Sequence, residues 1–208
     1  ILGTTTLEVT FNPSSLGVRT ARISFVTNVT GKNPFDFSLE GAGTCFPMQS
    51  YTLFYENFDA NNGGWNATSS GGTQWLYGNN LFRGEGTFWS LGGNYSNNTN
   101  STLTSPNIPT NGYTNIKISF DLASSTEANF DGMRLEYSIN SGSTWNRLCD
   151  FTENIGWQNS TNVAALSSSG FSGTLTSSVG SPFNEFIEKS VQFNDLDNKT
   201  NLLIRMVF

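Results

Sequence analysis

Four carboxylates, Asp121, Glu127, Asp131 and Glu136, fall within one short stretch of the chain. A carboxylate pair hydrolyses a glycosidic bond when its two members face each other about 5 to 10 Å apart across a cleft. The spacing here sets up no such pair. Arg134 and Glu136 alternate with Met133 and Leu135, so the charged residues take one strand face and the apolar ones the other. With Ser138, the charged face reads as a solvated outer face. The chain contains no histidine. That excludes Ser-His-Asp and Cys-His nucleophile activation and the common His-containing zinc sites. No catalytic residue is expected.

Aromatic rings offer a different chemistry. Trp75, Tyr77, Trp89 and Tyr95 lie in loops or near strand ends, where an exposed ring can stack on a pyranose face. Gln74, Asn79 and Asn94 flank them and could read sugar hydroxyls. The competing reading is that these rings fill a core, as large aromatics usually do. Trp65, Trp145 and Trp157 are assigned to packing.

Ser138-Ile139-Asn140-Ser141-Gly142-Ser143-Thr144-Trp145 has the form S-x-N/D-x-G-x-T-W, an Asp-box with Asn140 at the usual Asp position. It predicts a hairpin. Asn140 and Gly142 suit positive φ, Ser138 and Thr144 can bond across the turn, and Trp145 packs back over it. Asp-boxes occur in sialidases as structural devices away from the catalytic centre, so the motif argues for fold and not for activity.

These groups are carried by a chain built for strands. Hydrophobic residues make up 36% and charged residues only 12%, against about 25% charge in an ordinary domain. Polarity comes instead from Asn, Ser, Thr and 21 Gly, which favour turns and exposed strand faces. Aromatics reach 13%, with 17 Phe, enough bulk to fill a core. Net charge is −6 with no basic run, which disfavours nucleic acid as a partner. An acidic, lysine-poor surface fits extracellular or periplasmic exposure, and acidic loops can hold calcium. No apolar stretch approaches the roughly 18 to 20 residues of a membrane span. Cys45 and Cys149 are either one disulfide, if the chain is exported, or two buried thiols.

Period-two alternation marks the strands. Leu7, Val9 and Phe11 form the first run, Ala21, Ile23 and Phe25 the second, and Phe35, Phe37 and Leu39 the third. Gly41-Ala42-Gly43 ends this unit. Residues 44–50 read as a linker. Tyr51–Phe58 opens a second unit with an imperfect aromatic alternation. Further strands are expected at Thr87–Leu91, before Pro106, at Ile116–Leu122, Met133–Ile139, Phe186–Phe193 and Leu202–Phe208. Ser160–Pro182 reads as a long surface loop. Both ends fall inside strand-like patterns, so a longer parent protein is expected. Sequons at Asn28, Asn66, Asn94, Asn97, Asn100, Asn159 and Asn198 are what chance yields in a chain this rich in Asn, Ser and Thr.

Residues 5–43 resemble the C-terminal half of immunoglobulin-like repeats of the choice-of-anchor D (ASPM/SPD-2/Hydin) type. The matching phrases are Val9-Thr10-Phe11-Asn12-Pro13, Gly17-Val18-Arg19-Thr20-Ala21 and Phe37-Ser38-Leu39-Glu40-Gly41-Ala42-Gly43. Asp131–Asn140 with Gly142, Thr144 and Trp145 is similar to the centre of MAM-like and reelin-type jelly-roll modules. So are Glu56-Asn57-Phe58 before Gly63-Gly64-Trp65, Leu103-Thr104-Ser105-Pro106 and Ile118-Ser119-Phe120-Asp121. The resemblance implies an all-β chain. Residues 1–43 would be part of an immunoglobulin-like sandwich, and 51–208 an antiparallel jelly-roll β-sandwich whose last strand and acidic ending lie beyond Phe208.

That pairing of modules resembles large surface adhesins of Bacteroidota exported by the type 9 secretion system. It implies a non-catalytic, extracellular or cell-surface segment acting in adhesion or as a spacer. Its partners would be surface glycans or other extracellular ligands, together with secretion or surface-anchoring machinery. The alternative is an accessory module, carbohydrate-binding or not, of a secreted hydrolase. The jelly-roll resemblance also implies a structural Ca²⁺ near the first strand of the module, with Glu56, Asp59, Asp121 and Asp131 as candidate ligands and backbone carbonyls completing the six to eight contacts this ion takes.

Overall fold

The computed structural model describes residues 6–10, 17–43, 50–79, 86–151, 156–176 and 186–208. The chain is all-β, and every strand pairing among the described residues is antiparallel. In chain order the strands are β1 (Gly17–Phe25), β2 (Phe35–Gly43), β3 (Asn66–Gly71), β4 (Leu76–Asn79) and β5 (Thr87–Ser90). Then come β6 (Asn100–Thr104), β7 (Lys117–Leu122), β8 (Ser124–Ser125), β9 (Gly132–Ser138) and β10 (Asn146–Arg147). The last five are β11 (Ser160–Val163), β12 (Ser168–Ser172), β13 (Thr174–Leu175), β14 (Ile187–Gln192) and β15 (Leu203–Val207). Among the described residues the only helical pieces are two 3₁₀ turns, Ala164–Leu166 and Asn194–Leu196. The chain divides into two compact units, Ile1–Tyr51 and Thr52–Phe208.

The first unit is a hairpin of β1 and β2, in register from Gly17↔Gly43 to Phe25↔Phe35. The expected alternation places Ala21 opposite Leu39 and Ile23 opposite Phe37, and Phe25 stacks on Phe37 at 6.3 Å. Arg22 pairs with Asp36 across the strands. The turn is closed by Thr27, whose N–H donates to Asn33 Oδ1 at 3.0 Å and whose hydroxyl donates to the Lys32 carbonyl at 2.7 Å. The described part of the first alternating run, residues 6–10, is not in a strand and pairs with nothing described, with Leu7 and Val9 exposed. Phe11 and the turn after it, like residues 44–49 of the expected linker and Cys45, lie outside the described residues.

In the second unit a seven-stranded sheet runs β11-β12-β9-β15-β6-β3, with β10 paired to β9. Strand β15 comes late in sequence but lies centrally, between β9 and β6. Alternation sends Leu103, Met133, Leu135, Tyr137, Ile204 and Met206 to the inner face, all buried. Burial of each such side chain contributes about 1.5–3 kcal/mol. The opposing layer comes from the β7–β14 pair, which supplies buried Leu122 and Val191. Phe120 of β7 meets Trp157 and Phe171 edge-on, at 5.7 and 6.0 Å. Two sheet layers enclosing one apolar core are the arrangement of a β-sandwich.

Two further expectations change. Tyr51–Phe58 forms no strand. The expected surface loop at Ser160–Pro182 instead contributes β11, β12 and β13, while 177–185 lie outside the described residues. Every residue of β12, Ser-Ser-Gly-Phe-Ser, is buried. Its composition imitates a loop because small side chains are what close approach requires: a Cβ on Gly170 would lie 2.8 Å from the Met133 carbonyl oxygen. A strand covered on both faces also has no reason to alternate.

Candidate functional site

The outer face of the seven-stranded sheet carries the polar chemistry. Register aligns Arg147, Glu136, Arg205, Thr104 and Asn66 as one row across β10, β9, β15, β6 and β3. The neighbouring row holds Arg134, Val207, Thr102 and Thr68. Glu136 is the centre of the arrangement. Its Oε1 accepts from Arg134 Nε at 2.8 Å, and its Oε2 accepts from Arg205 Nε at 2.8 Å and Nη2 at 2.5 Å. Arg134 Nη1 reaches on to the Leu166 carbonyl at 2.9 Å and Ser168 Oγ at 3.0 Å.

The expected solvated outer face is therefore corrected. Glu136 is 5% exposed and Ser138 fully buried, because two guanidinium forks and the Asp-box hairpin cover that end of β9. A carboxylate can be buried there only because both of its oxygens are bonded to fixed cations. The signal was present in the sequence, since Arg134, Glu136 and Arg205 all occupy outward positions of alternating strands. What alternation could not supply was that β15 inserts beside β9.

The Asp-box forms the β9–β10 hairpin. Ser138 Oγ accepts the Gly142 N–H at 2.9 Å and donates to Asn140 Oδ1 at 2.9 Å. That same Oδ1 accepts the Thr144 N–H at 2.9 Å, while Asn140 Nδ2 donates to Thr144 Oγ1 at 2.8 Å. The left-handed residues are Ser141 (φ 57°) and Gly142 (φ 86°), not Asn140. Asn140 contributes its side chain, and the strain falls on the next residue, where two successive positive φ values match the twist of a tight hairpin. Trp145 packs back as expected, and its ring lies under Arg205.

The candidate calcium ligands are spread over separate local networks. Glu56 Oε1 accepts the Phe58 N–H at 2.7 Å, and Asp59 Oδ2 accepts Asn57 Nδ2 at 2.7 Å. Asp131 Oδ2 accepts the Tyr95 hydroxyl at 2.9 Å, and Asp121 is exposed on β7 opposite Glu188. Among the described residues no three such side chains converge on a cation position.

The candidate glycan rings are also engaged internally. Trp75 is 8% exposed and belongs to the core. Tyr77 donates to the Phe58 carbonyl at 2.7 Å and lies 5.7 Å from Trp89, which is half-buried against the core. Tyr95 packs edge-on against Phe208 at 4.8 Å. Burial and the bond to Asp131 hold its hydroxyl above the ordinary tyrosine range. Beyond the sheet edge, Asp150 is held below the ordinary carboxylate value by hydrogen bonds from the Ser169 hydroxyl and the Phe151 N–H, with Arg147 adding to them. Cys149 beside it is buried.

No family model, curated protein or solved structure matches this chain. What it does is therefore argued from its own residues. Trp75 and Glu136 are buried, and the open polar groups of the outer face among the described residues include Arg147, the far side of Arg205, Asn66 and the threonines of β3 and β6.

Proposed function

We propose that the chain is a non-catalytic binding or spacer segment of a large secreted or cell-surface protein, acting in adhesion through surface glycans or similar extracellular ligands. The observation that carries the reading is the state of Glu136. It is the one buried acid among the described residues, and both of its oxygens are spent on arginines. General acid–base work needs a carboxyl able to exchange a proton with substrate, and a doubly clamped carboxylate serves instead to pin strands. The half-exposed polar sheet face beside it suits weak, repeated contacts that gain strength through multivalency. The resemblance to MAM-like and choice-of-anchor modules supports the same reading.

The test is a glycan array probed with the purified chain, followed by assay of the same sugars for released products. Saturable binding without release is the expected result. Sugar release would overturn the non-catalytic part, and absence of binding to every glycan and matrix protein would overturn the adhesive part.

A further inference from the structure

We infer that the outer face of the seven-stranded sheet is a docking surface for an acidic polysaccharide bearing carboxylates. The inference rests on the binding-module reading above and narrows its ligand. The chain as a whole carries a net charge of −6 and only 10 Lys and Arg. Three of these, Arg134, Arg147 and Arg205, occupy this one face or its edge strand, against two carboxylates, Glu136 and Asp150, so the patch carries +3 − 2 = +1. An anionic polymer repelled elsewhere would find its attraction here.

The open donors have the right shape. Arg147 is half exposed and touches Asp150 only at 3.6 Å. Arg205 spends Nε and Nη2 on Glu136, while its Nη1 makes no hydrogen bond among the described residues. A guanidinium fork matches a carboxylate better than a point charge does. Hydroxyls continue the surface on the other side of Arg205. Thr104 lies directly opposite it, and Thr68 and Thr102 are bonded to each other at 2.8 Å with one hydroxyl hydrogen left to offer. The apolar groups on this face, Leu203, Val207 and Trp145, are half-buried between the polar rows, and Trp145 is covered by Arg205. A protein partner would need a protruding apolar anchor, whereas a chain of sugar hydroxyls and carboxylates needs donors, acceptors and a flat cationic row.

Binding of the full chain to polygalacturonate tests the inference, with neutral galactan and dextran sulfate as comparison polymers. Arg147→Gln and Thr104→Val are the variants, both at positions the core does not use, with unfolding midpoints measured to show that the fold is kept. The expected result is salt-sensitive binding to polygalacturonate and none to galactan. Arg147→Gln should lose roughly tenfold in affinity, the size of one charge-assisted hydrogen bond, and Thr104→Val a smaller but measurable amount. Absence of polygalacturonate binding overturns the inference. So does binding that both variants leave unchanged, or dextran sulfate binding as tightly with neither variant affected. A chain that binds only galactan overturns this surface while leaving the binding-module reading intact.

Discussion

The guanidinium carbon of Arg205 lies 4.1 Å from the centre of the Trp145 ring. One face of the guanidinium is thus stacked on the Asp-box tryptophan while its edge holds Glu136 at 2.5 Å, tying β15 to the β9–β10 hairpin. Breaking a buried pair from one side leaves uncompensated charge. Glu136→Gln is expected to destabilise the chain by about 3 kcal/mol in denaturant unfolding. Arg205→Lys should cost less but still measurably, because it keeps the charge and loses the fork and the stack. Indifference of stability to Glu136→Gln would remove the clamp from the account.

The Asp-box separates two substitutions at one position. Asn140→Ala loses three side-chain bonds, to Ser138, Thr144 N–H and Thr144 Oγ1, and is expected to cost about 2 kcal/mol. Asn140→Asp should be far milder, since the Thr144 hydroxyl can rotate from acceptor to donor. Equal losses for Ala and Asp, measured by thermal unfolding, would show that the amide nitrogen is indispensable.

Gly132 is required for closeness and not for backbone freedom. A Cβ there would collide with the carbonyl oxygen of Phe171 on the paired strand. Gly132→Ala is expected to cost about 2–3 kcal/mol by forcing β9 and β12 apart. An unfolding midpoint close to that of the parent would mean that the two strands yield freely.

Tyr95 gives the chain an alkaline sensitivity. Burial and the Asp131 bond raise its folded-state pKa above the ordinary 10.0. A raised pKa means that the stabilisation is fully present below the unfolded value and is lost as pH climbs through the folded one. Tyr95→Phe should lower stability at neutral pH and flatten the decline above pH 10.0. Parallel pH–stability curves for the two proteins would contradict this.

Calcium provides a further check on the acidic loops. Glu56 Oε1, Asp59 Oδ2 and Asp131 Oδ2 each accept one hydrogen bond, from Phe58, Asn57 and Tyr95, and the second oxygen of each carboxylate can still turn to a cation. The structural Ca²⁺ that the jelly-roll resemblance implies would give a higher unfolding midpoint with calcium than with excess EDTA, and coincident midpoints would remove it. A calcium-dependent rise would establish binding linked to folding.

Strand identity was legible wherever one face is buried and the other wet. Lys117–Leu122 and Leu203–Val207 alternate in sequence and in burial, because a pleated strand sends successive side chains to opposite sides; Gly132–Ser138 alternates in sequence, yet both of its faces are covered and only Arg134 is half-buried. The Asp-box hairpin was legible because its bonds lie within Ser138–Thr144. Leu7–Thr10 shows the limit: it alternates equally well, yet pairs with nothing described, since alternation states which residues would face a core and not that a partner strand is there.

Sequence by itself therefore determined the all-β class, the absence of histidine chemistry and the local hairpin. Tertiary structure alone decided three things. It buried Glu136 by bringing Arg205 beside it from 69 positions away, turned the serine- and glycine-rich Ser168–Ser172 into an inner strand, and placed Trp75 in the core. In each case the deciding quantity was desolvation by a distant segment, and the order in which strands lie side by side is not written in the period of any one of them.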